Sequence, residues 1–561
     1  MAMTQRTTLS ALRQSIRSTS GPNQRSCISA NVRNHLQQGT SRRGFHASFS
    51  TSQRNLAEAT KNSRSRWTKV VLGTSAVLSE QPSGQKLISA DEVEKHCTSE
   101  DCWVIVGGEV YDVTDFLDKH PGGAGVILNK AGQDATQIFT SLHPPGTLSL
   151  LPPTAYLGPV DPTTIKQSGP AELDEDEIRV KKAREEMPPI DSILLLQDME
   201  DLAEKVMSKT GWGYYRSASD TEDSYHNNEE SWKRYYFRPR VLRDAREKDP
   251  SSTMLGHHVS LPIYIAPAAM AKLGHPLGEV NLTRGAGECG IVQGISSNAS
   301  CSLEEMVEAR KDGQSLIFQI YLNKDREASE KLLKKVTDLG CTGIMFTVDA
   351  AAASKRTLDQ RTKASVNPPP SAPKNNKEAG GEKPKKAVGV AQAISTYQDD
   401  NLVWDDIKFI RKHTKLPILV KGIQCLEDAE IAAEYGVEGI ILSNHGARQL
   451  NFAPASIDVL YEIRQRRPEL FDKMEIYVDG GVKSGTDVVK ALALGAKGVG
   501  LGRSFLYANA CYGEEGVQKI YEILHWEVCA AMAMLGAHKI SDLKPEMVER
   551  AWWLAGQQGS K

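Results

Sequence analysis

The sequence has no apolar run long enough to cross a membrane and no strong net charge. The apolar run at 70–78 is far below the roughly 20 residues that a spanning helix needs, and we expect no other segment to span a membrane. Lysine and arginine number 68 against 70 for aspartate and glutamate, which gives no support to nucleic-acid binding as the main activity. We therefore expect a mature protein without a stable transmembrane segment and without a nucleic-acid partner.

Cysteine pairs of the kind that hold zinc or build a disulfide framework are also missing. The nine cysteines contain no Cys-x-x-Cys motif, and the spacing of Cys97 and Cys102 is too irregular to indicate either structure. We expect buried or unreactive thiols. The rest of the composition, 40% hydrophobic and 25% charged over 561 residues, is typical of a soluble globular protein with two to four domains.

Acidic residues are absent from the first 57 positions, which contain eight arginines; the first acidic residue is Glu58. An Arg-rich, Ser-rich segment without acids is typical of a mitochondrial presequence. The apolar run at 70–78 is typical of a signal that sorts a protein to the intermembrane space. We expect residues 1–80 to be a disordered presequence and sorting segment of a protein of the mitochondrial intermembrane space. The alternative is a basic tail without a targeting role.

Composition divides the rest of the chain into two compact units and a linker. Residues 84–160 are rich in aromatic residues, turns and short apolar runs. Residues 161–189 contain four prolines and the acidic run at 172–177, a composition that buries little and favours a mobile linker. The second unit covers residues 190–555.

Eight short apolar runs recur through the second unit, each followed by a helix-like stretch. Strands that are apolar on both faces and alternate with helices indicate a parallel sheet. Eight such units over roughly 300 residues predict an α/β fold closed into a (β/α)8 TIM barrel, in preference to an open doubly wound sheet. The predicted strands are 261–267, 290–295, 315–321, 343–349, 417–423, 439–445, 475–481 and 498–504.

A polar segment of low complexity interrupts this repeat after the fourth predicted strand. Residues 362–390 contain three consecutive prolines and several lysines. Loops of this length inside a compact domain are usually functional or disordered. We expect a flexible insertion, with a lid or a docking role as the alternative.

Polar side chains follow many of the predicted strands, at the end where barrels place their active sites. His445 and Arg448 follow the sixth strand. An imidazole can accept a proton near neutral pH, and a guanidinium can bind a carboxylate through two parallel hydrogen bonds. The pair suits a substrate that has a removable proton and a carboxylate. Other polar residues in such positions are Gln319, Tyr321, Thr347, Asp349, Lys421, Asp479 and Arg503.

Glycines and cations follow the seventh and eighth predicted strands, at 479–483 and 497–503. Barrels often bind phosphate between these two loops, because glycine lets backbone N–H groups approach the oxygens. Lys483 and Arg503 add positive charge. No Gly-x-Gly-x-x-Gly motif opens a Rossmann unit, so a nicotinamide dinucleotide is unsupported and the mononucleotide FMN fits this pattern better.

A lysine within a buried strand, Lys421, is costly unless an anion pairs with it. Next to the polar edge of a flavin, its charge would stabilise the negative charge of the reduced ring. Gln319 and Thr347, at the ends of the third and fourth strands, could bond the same edge. These three residues add to the prediction of an FMN site.

Residues 119–123 read Lys-His-Pro-Gly-Gly, and His143 follows His120 by 23 positions. Two imidazoles on opposite sides of a slot can ligate haem iron from both sides, which suits electron transfer because no coordination position stays open. Together with Asp-Cys-Trp at 101–103 and Tyr-Asp-Val-Thr at 111–114, the pattern resembles the cytochrome b5 family. The resemblance implies a small α+β domain that binds haem b (protohaem IX) through His120 and His143.

Residues from about 190 to 550 resemble the FMN-dependent 2-hydroxy acid dehydrogenases and oxidases, through the motif at 443–450, the strand-end residues and the glycine loops. With a cytochrome b5-like domain in front, the chain resembles the haem-containing members of that family in fungal mitochondria. The resemblance implies oxidation of an L-2-hydroxy acid, L-lactate first, to the 2-keto acid through FMN. It further implies electron transfer through haem b to cytochrome c, and a homotetramer.

The same resemblance implies roles for individual residues. The catalytic residues would be His445 as the base, Asp349 to orient it, Tyr321 on the substrate hydroxyl and Arg356 on the developing charge. The substrate-binding residues would be Tyr214, Tyr321, Arg356, His445 and Arg448. The flavin contacts would be Ala268, Ser296, Gln319, Thr347, Lys421, Asp479, Gly480, Gly481, Lys483, Gly502 and Arg503.

Several positions depart from the family pattern. Ala447 replaces a glycine, Asn451 an aspartate, Lys483 an arginine and Ser504 a proline. Asn298 stands where lactate-oxidising members have an apolar residue, which keeps open a preference for glycolate, mandelate or a longer 2-hydroxy acid. A haem electron carrier with a non-catalytic barrel is a further alternative, and so is an oxidase. The intact set of catalytic residues argues against a non-catalytic barrel, and the haem domain argues against an oxidase.

Overall fold

The computed structural model describes residues 87–119, 127–128, 130–142, 147–165, 174–244, 246–366 and 398–551. The predicted presequence, most of the predicted insertion and both predicted haem ligands lie outside these ranges. Among the described residues, no helix combines the length and the apolar character that a membrane crossing requires.

The first described unit contains a three-stranded antiparallel sheet. β1 (Trp103–Val106) pairs with β2 (Glu109–Asp112), which pairs with β3 (Tyr156–Pro159). Gly107 and Gly108, with φ of 65° and 83°, make the two-residue turn between β1 and β2 that such a hairpin requires. With two helices beside the sheet, the unit has the α+β character expected from the sequence. These helices are α1 (Ala90–Val93) and α2 (Thr136–Leu142).

Part of the predicted linker is a helix, α3 (Glu175–Glu185), which differs from the expectation of a mobile segment. Asp174 and Glu177 form a capping box, with side chain to backbone N–H hydrogen bonds of 2.7 and 3.0 Å. Carboxylates at the start of a helix satisfy its first N–H groups, so the acidic run begins a helix here. Arg184 donates to the Gly274 carbonyl at 3.2 Å and thereby attaches α3 to the second unit.

A short hairpin covers the end of the second unit at which the barrel strands begin. After β4 (Tyr235–Phe237), the strands β5 (Ser252–Met254) and β6 (His257–Val259) pair antiparallel. Met254 belongs to the apolar cluster inside the barrel, and a Cβ on Gly498, at the start of the last barrel strand, would fall 2.8 Å from its methyl group. The hairpin therefore covers the end opposite the predicted active site.

Eight parallel strands then close into a barrel, each bonded to its neighbours in chain order and the eighth to the first. This confirms the predicted (β/α)8 fold, and each predicted run overlaps one strand. The strands are β7 (Ile263–Ile265), β8 (Val292–Ser296), β9 (Leu316–Ile320), β10 (Gly343–Thr347), β11 (Ile418–Ile423), β12 (Gly439–Leu442), β13 (Glu475–Asp479) and β14 (Gly498–Leu501). A last strand, β15 (Val548–Arg550), pairs with β4.

Helices surround the barrel, and several of them pack against the outer faces of the strands. The helices are α4 (Leu196–Val206), α5 (Lys209–Arg216), α6 (Asp223–Trp232), α7 (Glu279–Cys289), α8 (Leu303–Glu308), α9 (Arg326–Asp338), α10 (Thr357–Val366), α11 (Asp406–His413), α12 (Leu426–Glu434), α13 (Ser456–Arg466), α14 (Leu470–Lys473), α15 (Gly485–Ala493) and α16 (Arg503–Leu535).

Two apolar layers hold the strand ends in place. One fills the barrel interior and includes Tyr264, Ile317, Leu419 and Tyr477; the other lies between the strands and the surrounding helices. Packing in the interior is tight, since a Cβ on Gly500 would fall 2.4 Å from the Tyr264 ring. Close-packed interiors resist deformation. The side chains at the C-terminal ends of the strands therefore stand on a rigid support.

Candidate active site

His445 stands on a strained turn directly after β12. The residues His445, Gly446 and Ala447 have φ of 59°, 60° and 63°. The Asn444 side chain accepts a hydrogen bond from the Ala447 N–H at 3.0 Å and so fixes the turn. Residues other than glycine adopt such φ only at a cost of about 1–2 kcal/mol, which marks a backbone held by its surroundings.

The imidazole of His445 is paired with a buried carboxylate. Its Nδ1 lies 2.8 Å from Oδ1 of Asp349, whose side chain has no exposed surface. Burial opposes the charge on Asp349, but His445 and Lys421 hold the pKa of this carboxyl below its ordinary value. Burial lowers the pKa of His445 in spite of the carboxylate, so the ring is neutral near pH 7. With Nδ1–H donated to Asp349, Nε2 is the nitrogen that accepts a proton.

The hydroxyl of Tyr321, which follows β9, faces the same nitrogen. It lies 3.5 Å from Nε2 of His445, which is long for a hydrogen bond. A substrate hydroxyl between the two groups could bond to both. The structure therefore brings together the two residues that the sequence predicts on the reacting hydroxyl.

Two arginines and a tyrosine form a cationic wall near His445. The guanidinium carbons of Arg448 and Arg356 lie 4.9 and 6.0 Å from the centre of the Tyr214 ring. Burial and the neighbouring Arg356 lower the pKa of Arg448 to about 9. An anion would stabilise two cations in this position, and a planar fork of donors matches a carboxylate. The wall is therefore a candidate carboxylate site.

Lys421, in β11, is a buried cation at the cavity. Its ammonium group donates to the Ser443 hydroxyl at 2.9 Å and lies 3.3 Å from Oδ2 of Asp479. Burial alone would lower the pKa of Lys421, but the carboxylates of Asp479 and Asp349 raise it. The lysine is thus charged at neutral pH and can face a group that carries negative charge.

Several buried polar atoms of the cavity have no hydrogen-bond partner among the described residues, and two of them are Nε2 of Gln319 and Oγ1 of Thr347. Oε1 of Gln319 accepts from the backbone N–H of Ser297 at 3.2 Å, which leaves the amide nitrogen to the cavity. An unsatisfied buried polar group costs about 1–3 kcal/mol. Both groups are therefore suited to the polar edge of a bound ring.

A glycine cradle lies after β13 and before α16. Gly480 and Gly481 have φ of 98° and 74°, and Gly502 precedes the first residue of α16. A Cβ on Gly481 would fall 2.1 Å from the carbonyl oxygen of Asn228, so only glycine fits there. Free N–H groups at the start of a long helix suit an anion. The cradle matches the predicted phosphate site.

Lys483 and Arg503, the two basic residues predicted to bind the phosphate, also contact other residues of the protein. The ammonium group of Lys483 contacts the carboxylate of Glu200 and lies 3.1 Å from that of Glu229. The guanidinium of Arg503 donates three hydrogen bonds of 2.9 to 3.0 Å to the backbone carbonyls of Tyr215, Gly446 and Ser217. Both side chains therefore have partners within the protein. The sequence did not indicate these partners.

One cavity of about 1500 Å³, measured with the open space at its mouth, collects these groups. Asp349 lies behind His445 and does not line it. The predicted residues that line it are Tyr214, Ala268, Ser296, Gln319, Tyr321, Thr347, Arg356, Lys421, His445, Arg448, Asp479, Gly480, Gly481, Lys483, Gly502 and Arg503.

Sequence reasoning missed several residues that line the cavity or support its lining residues. Asn228 and Asn444 exchange amide hydrogen bonds of 2.8 and 2.7 Å, and Ser443 accepts from Lys421. Ser443 and Asn444 precede His445 directly, so the strand-end rule could have identified them. Asn228 lies on α6, before the barrel, where no periodic signal marks it. Further lining residues that were not predicted are Tyr225, Glu229, Gln398, Gln449 and Tyr507.

The predicted haem ligands, His120 and His143, lie outside the described residues. Their neighbours in the chain form a small apolar cluster, in which Leu117 is buried. Phe116, Leu128, Phe139 and Leu148 are only partly buried in that cluster. Partly exposed apolar side chains in one cluster suit contact with a large apolar ring such as a porphyrin.

Comparisons with known proteins agree with both parts of this description. The family described as FMN-dependent dehydrogenase matches residues 203–550, and the cytochrome b5-like heme/steroid binding domain matches residues 89–161. The L-lactate dehydrogenase (cytochrome) of Saccharomyces cerevisiae is 43% identical over 82% of this chain and 79% of its own length. The protein of the same name from Wickerhamomyces anomalus is 40% identical over 89% of each chain.

Solved structures give the same result for the barrel. The flavin-binding domain of baker's yeast flavocytochrome b2 superposes with a TM-score of 0.62 at 42% identity, covering 70% of this chain and 95% of that chain. A mandelate oxidase mutant with (S)-mandelic acid reaches a TM-score of 0.55 at 32% identity, covering 64% of this chain and 98% of its own.

Proposed function

The chain belongs to the family of FMN-dependent dehydrogenases, and on this premise we propose that it oxidises an L-2-hydroxy acid, L-lactate first, to the 2-keto acid and delivers the electrons to cytochrome c. One observation carries the proposal. A neutral imidazole, bonded to the buried carboxylate of Asp349, shares a cavity with the guanidinium groups of Arg448 and Arg356.

His445 is the base of the proposed reaction. Oxidation removes the hydroxyl proton and also the hydrogen on C2 with both electrons of its bond. Nε2 of His445 takes the hydroxyl proton, and the carboxylate of Asp349 stabilises the imidazolium that results. The Tyr321 hydroxyl bonds the same oxygen. A positioned base of this kind contributes ~10²–10⁴-fold to the rate.

The cationic wall orients the substrate. Arg448 and Tyr214 bind the carboxylate, while Arg356 stabilises the charge that develops on the hydroxyl oxygen. When the carboxylate and the hydroxyl are both held, the C2 hydrogen of a given enantiomer points in only one direction. This accounts for a preference for one enantiomer.

The cavity fits FMN. Gln319 and Thr347 offer polar atoms that have no other partner among the described residues, and Lys421 is a buried cation. Gly480 and Gly481 form a cradle in which a side chain would not fit. Lys421 would hold the ring edge that becomes negative, and the cradle would hold the phosphate. When bound, FMN supplies the two-electron acceptor for the hydrogen on C2.

Haem b completes the proposed electron path. His120 and His143 would hold the iron from both sides, so that the iron carries electrons and binds no substrate. The two relatives are named L-lactate dehydrogenase (cytochrome), which supports a cytochrome as the acceptor, and we propose cytochrome c for this role. The haem domain favours this acceptor over oxygen, because a haem domain would have no function in an oxidase.

Anaerobic mixing tests the proposed function. L-lactate should bleach the flavin absorption first and then produce the bands of reduced haem, and added cytochrome c should be reduced in turn. D-lactate is the matched control and should produce neither change. If no 2-hydroxy acid bleaches the flavin, the barrel is a scaffold. If the flavin bleaches while the haem stays oxidised, the electron path is wrong.

Asn298 favours a second candidate within the same chemistry, a 2-hydroxy acid with a polar or larger side chain. Its side chain is 8% exposed and lines the cavity. A polar group there binds a methyl group less well than an apolar one does. Comparing kcat/KM for L-lactate, glycolate, L-mandelate and L-glycerate decides between the two, since the preferred substrate must exceed the others severalfold.

We propose the mitochondrial intermembrane space as the location, on the strength of the Arg-rich, acid-free start of the chain. Import into isolated mitochondria, followed by N-terminal sequencing and selective rupture of the outer membrane, tests this. We propose a homotetramer by resemblance to the family, which light scattering of the purified protein tests directly.

A further inference from the structure

The haem-binding unit places two cysteines opposite each other. Cys97 and Cys102 form an isolated antiparallel bridge just before β1. The flanking backbone bonds run from Trp103 N to the His96 carbonyl and from Thr98 N to the Asp101 carbonyl, each 3.0 Å. Hydrogen bonds made by the residues on either side define the cysteines as a non-hydrogen-bonded pair.

This register sets the distance between the two side chains. In non-hydrogen-bonded antiparallel pairs the Cα atoms lie about 4.5 Å apart, and directly opposed side chains leave the same face. Disulfides span Cα distances of about 4.4–6.8 Å, so the backbone at Cys97 and Cys102 already meets this requirement. The spacing of the cysteines in the sequence did not indicate this.

Both side chains also face the same turn. A Cβ on Gly132 would lie 3.3 Å from the Cβ of Cys97. Cys102 packs in the apolar cluster that includes Ala131, the neighbour of Gly132. Both side chains thus lie next to the loop formed by Ala131 and Gly132.

The thiols differ in their access to solvent. Cys97 is exposed, whereas Cys102 is fully buried. Burial, reinforced by the carboxylates of Asp112 and Asp101, raises the pKa of Cys102 to about 11. An external disulfide can therefore reach Cys97, while Cys102 can react only with a sulfur already bonded at Cys97. This is the arrangement of an attacking thiol with a resolving partner.

We propose that Cys97 and Cys102 are a redox-active thiol pair that closes to an intramolecular disulfide by exchange with a small-molecule disulfide such as oxidised glutathione. The Cys97 thiolate attacks one sulfur of glutathione disulfide and releases one glutathione. The Cys102 thiolate then displaces the second glutathione from Cys97. The protein loses two protons and two electrons, and one disulfide becomes two thiols.

Redox titration of the full-length holoprotein tests the pair. The protein is equilibrated with mixtures of reduced and oxidised glutathione, remaining thiols are alkylated, and the chain is cut after glutamate. Glu100 lies between the cysteines, so this cut gives one peptide with Cys97 and one with Cys102. We expect the two peptides to stay linked in oxidising buffer, with a mass two hydrogens below the sum of the free peptides, and to separate on reduction.

Variants separate the two steps of the exchange. Cys102→Ser should accumulate glutathione on Cys97, and Cys97→Ser should leave Cys102 unmodified. Cys425→Ser, which changes a partly buried cysteine of the barrel, is the matched control and should keep the linked peptides. Glutathione that persists on Cys97 in the unmodified protein would overturn the proposal, and so would two alkylated cysteines in strongly oxidising buffer. Cys102→Ala replaces Cys102→Ser if the serine variant fails to fold.

Discussion

Oδ1 of Asp349 lies 2.8 Å from Nδ1 of His445, although 96 residues separate the two in the chain. They follow β10 and β12, which are not neighbours in the barrel, because β11 lies between them. Gly422 in β11 makes the contact possible, since a Cβ there would fall 2.6 Å from the Cβ of Asp349. The base and its orienting acid are thus held together by the barrel itself and by one position that tolerates no side chain.

Replacing Asp349 by Asn should lower kcat by roughly 10²–10⁴-fold, because the amide neither fixes the productive tautomer nor stabilises the imidazolium. The FMN content should be unchanged, since Asp349 does not line the cavity. Steady-state kinetics on flavin-loaded protein measure this. Asp472→Asn, on the surface helix α14, is the control. A variant that keeps more than half of the kcat would refute the role of Asp349.

The pH dependence of kcat/KM should show loss of activity at low pH. His445 acts as a base only when neutral, and burial lowers its pKa below the ordinary 6.5. Activity should therefore be retained above pH 6.5 and fall as the pH drops through the lowered pKa. The carboxylate of Asp349 raises the pKa of His445, so Asp349→Asn should move this loss to lower pH. A shift in the opposite direction would contradict the assignment.

Replacing Arg448 by Lys should raise KM about 10–100-fold, since a point charge replaces a planar fork and about 1.5–3 kcal/mol of charged hydrogen bonding is weakened. The dissociation constant of the 2-keto acid product, measured by its effect on the flavin spectrum, should rise by a similar factor. Arg466→Lys, on an exposed face of α13, should change neither value. An unchanged KM would remove Arg448 from the carboxylate site.

Replacing Lys421 by Met should destabilise the barrel by about 3–5 kcal/mol, because Asp479 would keep a buried charge without its partner. Adding Asp479→Asn should recover part of this loss. Urea unfolding followed by circular dichroism measures both. Lys497→Met, which removes a partly exposed pair with Glu475, should cost no more than about 1 kcal/mol. A double variant less stable than Lys421→Met alone would show that the pair is not coupled.

Replacing Asn298 by Leu should shift preference toward apolar side chains. Burial of one methyl group is worth about 0.8 kcal/mol, so kcat/KM for L-lactate should rise severalfold relative to L-glycerate. The ratio of the two values, measured on the same preparation, cancels errors in flavin loading. A ratio that does not change would exclude Asn298 from the substrate pocket.

The sequence predicted those features that lie within one strand or directly after it. Buried runs predicted all eight barrel strands, and the rule that barrels act at strand ends selected residues such as His445, Lys421 and Gln319, which line one cavity. Functional residues at a strand end can be predicted because the strand that positions them can itself be predicted from its apolar run. The roles of these residues stay predictions, to which the structure adds their common location.

Contacts between distant segments left no such signal. Glu200 stands 283 residues from Lys483, and Asn228 stands 216 residues from Asn444, so no periodicity or motif links either pair. The acidic run before α3 was ambiguous, because the same carboxylates suit a mobile linker and the first turn of a helix. Pairs of this kind become visible only when the closed barrel brings its loops together.

Single-turnover reduction of the flavin by L-lactate, compared between the unchanged protein and His445→Gln, is the decisive measurement of whether His445 is the base. Gln keeps the size and polarity of the side chain but cannot accept the hydroxyl proton. We expect that His445→Gln binds FMN and the 2-keto acid normally and reduces its flavin roughly 10²–10⁴-fold more slowly. Flavin reduction at the unchanged rate in His445→Gln would contradict this role of His445.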